Sequence, residues 1–144
     1  MVGVSMKLDG EKELLAALAK LGEDARAETR EAVQKTAVEV HGTIVKGYQR
    51  GPATGRVYTR GNITHQASAP GEAPATDTGR LASGTEFRMT CDLSAEVGNS
   101  VLYGPFLEWG TQKIAPRPLW RPAVIEAGPK FRARLETALA RVMR

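Results

Sequence analysis

The residue types able to do acid–base, nucleophilic or metal chemistry near neutral pH are scarce in this chain. There are two histidines, His41 and His65, and one cysteine, Cys91, all far apart in sequence. No H-x-E, C-x-x-C or H-E-x-x-H spacing occurs, so no metal set is recognisable. GPATGR, at 51–56, lacks the spacing of a phosphate-binding loop, because Gly55 precedes Arg56 rather than Lys-Ser/Thr. GNSVL, at 98–102, has no second glycine to make a nucleophile elbow. Candidate carboxylate pairs such as Glu72 with Asp77 sit in a Pro-rich segment, which cannot fix the separation that acid–base catalysis needs. The sequence therefore predicts no enzyme, no catalytic residue, no metal and no cofactor.

A different composition stands out between Tyr103 and Ala123, YGPFLEWGTQKIAPRPLWRPA. This stretch holds both tryptophans and four of the eight prolines, and its one carboxylate is Glu108. Phe106, Trp109 and Trp120 beside the forked guanidinium groups of Arg117 and Arg121 are the composition of a protein–protein contact. The same aromatics can instead fill a core. The stretch as a whole reads as a stiff, Pro-punctuated connector between a small sheet and a terminal helix.

The elements around it follow from periodicity. Asp9 can cap a first helix carrying Leu14, Leu15, Leu18 and Leu21, with Gly22 as its stop. A second helix is expected from about Glu23 to about Gln49, with a buried stripe of Ala25, Thr29, Val33, Ala37, Val40, Ile44 and Tyr48. From 50 to 78 periodicity disappears into a Gly/Pro-rich segment, which reads as a flexible loop or arm. No acidic residue lies between Glu39 and Glu72, whereas Lys46, Arg50, Arg56 and Arg60 do. Asp77 or Thr78 can cap a short turn through Arg80 and Leu81. Alternation then predicts a hairpin of Thr85–Cys91 and 94–98, with Phe87, Met89 and Cys91 on one side. Trp120, Val124, Ala127, Phe131, Leu135, Ala138 and Val142 mark a terminal helix. Their stripe keeps phase across Gly128-Pro129, predicting a kinked helix that continues to the end, or a break at Gly128.

These elements give an α+β fold: two N-terminal helices, a long Gly/Pro-rich loop, a small antiparallel hairpin and a long C-terminal helix. At 144 residues, 42% hydrophobic and 25% charged, the chain is one domain by size, residues 1–144. Its net charge of +4 does not by itself mark a nucleic-acid binder. No apolar run approaches the roughly 20 residues of a membrane span and no leader is recognisable, so no membrane partner is expected.

YGPFLEWGT followed by RPLWRPA resembles the signature Y-x-x-(F/Y)-(L/V)-E-x-G-T … R-P-(F/L)-(L/W)-R-P-A of siphophage neck or tail-completion proteins. Those are small virion proteins of lambda-like phages and prophages. QASAPGEAPATDTGRL, at 66–81, is similar to a second run of the same family, A-S-x-P-G-x-x-P-x-x-x-T-G-x-L. The similarity covers about residues 50 to 125. Gly104-Pro105 sits where a small residue is common, and Trp120 where an aliphatic residue or Phe is more usual. The resemblance implies a structural virion protein acting at the head–tail junction, made in the bacterial host cytoplasm and located in the virion neck or tail. Its implied partners are other phage neck and tail proteins and further copies of itself in a ring, with DNA nearby. Lys46, Arg50, Arg56 and Arg60 are then candidate arm contacts, and Arg80 is a further candidate interface residue. Phe106, Glu108, Trp109, Arg117, Trp120 and Arg121 are candidates for fixing the connector or touching neighbours. The alternative is a small basic nucleic-acid-binding module using the 46–60 segment on phosphates.

Overall fold

A computed structural model describes residues 5–7 and 22–143. The expected helix over 9–22 lies outside the described residues, apart from Gly22. That glycine has φ +82° and stands where the long helix begins.

Helix α1, Gly22–Arg50, carries Glu23 and Asp24 in its first turn and Arg50 in its last, the charge order that the helix dipole favours. Every member of the expected stripe is buried, joined by Ala32 and Thr36. The C-terminal helix α4, Trp120–Val142, lies antiparallel beside it. Tyr48 meets Trp120 at one end, and Leu139 and Val142 pack on Ala25 and Leu93 at the other. Between these ends the pair is cross-linked by ions: Glu39 to Lys130 and Arg134, and Glu28 to Arg141. α4 runs unbroken through Gly128-Pro129, so the alternative of a break is not what forms. Phe131 and Ala127 hold the helix against the core on either side of the proline, which faces solvent.

The sheet has the order β1–β5–β4, all antiparallel: β1 Ser5–Lys7, β4 Thr85–Cys91 and β5 Ser94–Asn99. β1 is a strand that periodicity did not announce. β5, central, is buried along most of its length, and Ala95 and Val97 join Val33, Ala37, Val40 and Ile44 of α1 in the core. Asn99 is buried at the junction with α2, Arg80–Ser83. Its Nδ2 donates to Leu81 O (2.7 Å) and Thr85 Oγ1 (2.8 Å), and its Oδ1 accepts from Val101 N (2.8 Å). The cap of α2 is corrected: the Gly79 N–H goes to Thr76 Oγ1 (3.1 Å), and neither Asp77 nor Thr78 serves. The alternation expected of β4 is also only partly met. Met89 is half-buried, but Phe87 and Cys91 are exposed. β4 is the sheet's edge, and a bulge between Met89 and Cys91 breaks its phase.

The 50–78 segment is not structureless. β2, Val57–Arg60, and β3, Ile63–Gln66, form a second, two-stranded sheet closed by Gly61-Asn62. Gly61 has φ +62° and Asn62 does not go positive, the sign pattern of a type II′ turn. Such a Gly-Asn pair between VYTR and ITHQ is a hairpin signal in its own right. Beyond the hairpin, Ser68 and Pro74 are buried, and the Gly71 N–H donates to Pro116 O (3.0 Å).

Candidate assembly surface

The connector folds as a short helix, α3 (Gly104–Trp109), and a loop that returns to α4. Pro105 lies in the first turn of α3, where its missing N–H costs nothing. Gly110 ends that helix at φ +76°. A Cβ there would stand 2.8 Å from Ile114 O and 2.9 Å from Pro116 N, so the turn admits only glycine. Thr111 then closes the loop: its Oγ1 accepts from Lys113 N (3.2 Å) and Ile114 N (3.1 Å).

Glu108 is the centre of this arrangement. Its Oε2 accepts from Leu119 N (2.8 Å) and Trp120 N (3.0 Å), and its Oε1 from Arg121 N (2.9 Å). α4 has no side-chain cap of its own, so a carboxylate from another helix satisfies the N–H groups that its first turn leaves open. Beside it, Trp120 Nε1 donates to Tyr48 Oη (2.8 Å), tying the start of α4 to the end of α1. Burial pushes the Tyr48 hydroxyl up to about 12; the bond from Trp120 opposes that shift, and the nearby Glu108 charge adds to it.

The consequence is a division of the connector residues. Trp120 (3% exposed) and Glu108 (5%) are internal and fix the connector, so neither touches a neighbour across an exposed face. Phe106 (57%) and Trp109 (64%), three apart on α3, face outward. Arg121 lies over Trp109, with Cζ 5.6 Å from the ring centroid. Arg117 is half-buried; its main-chain N–H donates to Leu107 O (2.7 Å), and its Nε has no hydrogen-bond partner among the described residues. Leu102, Tyr103, Ile114 and Ile125 are exposed as well. None of these four was singled out from the sequence, although Ile125 stands one helical turn beyond Arg121.

The basic residues do not gather into one site. Lys46 and Arg50 are exposed near the end of α1, and Arg56 is at the base of the hairpin. None of the three has an ion-pair partner among the described residues. Arg60 is engaged by Asp77 (3.4 Å). Arg60 and Arg80 line one shallow concavity of about 390 Å³ with Tyr103 and Asp77. Among the described residues, no cluster of His, Cys, Asp or Glu can hold a metal ion, and no helix is long and apolar enough to cross a membrane. No family model, curated protein or solved structure matches this chain.

Proposed function

We propose that this chain is a structural virion protein of a tailed phage or prophage that acts at the head–tail junction, or in tail completion, by fitting against other proteins. The observation that carries the reading is the pairing of a rigid latch with an outward aromatic face. A buried carboxylate and a buried Trp–Tyr bond immobilise the connector, while Phe106 and Trp109 stay in solvent beside Arg121. Preorganised aromatic and arginine side chains lose little entropy on docking, which is how a few residues come to dominate an interface. The motifs at 66–81 and 103–123 supply the phage context. On this reading the chain transforms no substrate, and its place is the neck or tail of the particle beside other neck and tail proteins.

The test separates folding from assembly. Replacing Phe106 and Trp109 together by Ala removes exposed side chains, so stability changes by no more than about 0.5 kcal/mol per site. Incorporation into particles is expected to fail, leaving heads and tails separate in electron micrographs. Particles that assemble normally with the double variant would refute the reading.

A second reading rests on Lys46, Arg50 and Arg56, which have no ion-pair partner among the described residues: a basic module that contacts nucleic-acid phosphates. It requires affinity for DNA that falls at least about tenfold between 50 and 200 mM salt.

A further inference from the structure

The edge strand β4 and the flank of α1 above it form an open surface distinct from the aromatic end. From Thr85 to Met89 the edge carries one of the devices that usually hinder strand addition, the charged side chains of Glu86 and Arg88 on the face away from α1. It has no proline, and its bulge comes only after Met89. Phe87, on the α1 side of the strand, remains 37% exposed against His41, with ring centroids 5.8 Å apart. His41 Nε2 lies 3.0 Å from Thr85 O, so this face of α1 sits directly over the edge. One turn to either side of His41 are Val38, 45% exposed, and the half-buried Val45, with Gly42 between them. Among the described residues nothing lies within 4 Å of a Cβ built on Gly42, so a second helix can approach closely there.

The charges on the opposite face of the strand indicate what covers this edge. Glu86 and Arg88 flank Phe87. Arg88 bonds Glu96 of the neighbouring β5 (2.8 Å), whereas Glu86 stands opposite Gly98 and has no side-chain partner among the described residues. The sequence Glu86-Phe87-Arg88 is self-complementary when laid antiparallel on itself. Phe87 meets Phe87, and each Glu86 meets the other copy's Arg88.

We infer that the occupant of the β4 edge is a second copy of this chain, paired antiparallel about a two-fold axis at Phe87. The sheet then continues across the axis as six strands. Each Arg88 lies between its own Glu96 and the Glu86 of the other copy, and the isologous contact uses the same patch on both sides. α1 packs over both β4 and β5, and strands are spaced about 4.8 Å apart. The two α1 helices therefore come to roughly 10 Å, the distance at which helices pack. Val38, Gly42 and Val45 of each copy then face each other above the paired Phe87 rings. This pairing is independent of the assembly reading, because it uses the middle of α1 and leaves the aromatic end free.

Sedimentation equilibrium on the full chain tests it, together with two variants. The wild type is expected to be a dimer. Glu86→Lys, which changes an exposed side chain without a side-chain partner among the described residues, should weaken dimerisation about 30-fold or more by turning two attractive cross-strand pairs into repulsive ones. Phe87→Cys with Cys91→Ser should cross-link to itself on mild oxidation, since directly opposed residues have Cα atoms about 4.5–5.5 Å apart, within disulfide reach. A monomeric wild type overturns the inference. So does a dimer indifferent to Glu86→Lys, or a folded Phe87→Cys, Cys91→Ser dimer that does not cross-link.

Discussion

The connector over 101–121 and the segment over 51–79 look alike as sequence, both rich in proline and glycine and neither periodic, yet they are attached to the molecule in opposite ways. The connector is fixed from inside. Glu108 accepts three main-chain N–H groups, two of them buried, and Trp120 hands its indole N–H to the buried Tyr48 hydroxyl. The 51–79 segment is attached largely from outside. Thr54 and Ala69 hold Glu72, Arg60 holds Asp77, and nearly every residue of the hairpin is exposed. A polar contact in a water-excluded site cannot be exchanged for water, whereas one on the surface can. The connector should therefore melt with the fold, and the hairpin should not.

Removing the latch should produce the largest effect. Glu108→Ala leaves three N–H groups at the start of α4 without their acceptor, and the expected loss is about 3–5 kcal/mol. In a chain of this size that lowers the melting midpoint by on the order of 10 °C. A midpoint within a degree or two of the wild type would mean that water replaces the carboxylate, and the contrast between the two regions would collapse.

Tyr48→Phe asks the same question more gently and adds a dependence on pH. At neutral pH it should cost about 1–2 kcal/mol, because Trp120 Nε1 is left buried without an acceptor. In the wild type the Tyr48 hydroxyl is raised from 10 in the unfolded chain to about 12 in the fold. Stability from keeping it protonated is complete below pH 10 and is lost as pH rises toward 12. Urea titrations across that window should show a shallower decline for Tyr48→Phe than for the wild type. Parallel declines would place the hydroxyl in contact with water.

The sequence carried some of this and not the rest, for identifiable reasons. The face of α1 was legible because each of its buried positions is apolar or small and recurs every three or four residues, from Ala25 to Tyr48. The β4–β5 hairpin was legible by alternation, and α4 by a stripe that stays in phase across Gly128-Pro129. The β2–β3 hairpin was missed although Gly61-Asn62 announces it, because neither strand alternates apolar with polar: both faces meet solvent. The role of Glu108 could not be read from spacing. Its acceptors' partners lie 11 to 13 residues away, and the Trp120–Tyr48 bond spans 72. Local pattern finds faces of elements; it does not find a side chain that caps a different helix.

The smallest effect should come from the hairpin. Removing Val57–Arg60 and Ile63–Gln66 while keeping Gly61-Asn62 joins Arg56 to Ala67 through the same two-residue turn, at a point where the Ala67 N–H already donates to Arg56 O (3.0 Å). The Glu72 clasp remains. Thr54 Oγ1 bonds its carboxylate (2.5 Å), and this bond, followed by the Ala69 N–H, holds Glu72 below its ordinary value of 4.5. A depressed carboxylate stabilises above the unfolded value and stops doing so as pH falls below about 4.5, so the clasp should release only in acid. At neutral pH the shortened chain should therefore melt within about 0.5 kcal/mol of the wild type, since exposed residues distant from the core are removed. A larger loss would show that the hairpin supports the core. An unchanged midpoint with failed incorporation into particles would identify it as an arm whose purpose lies outside its own subunit.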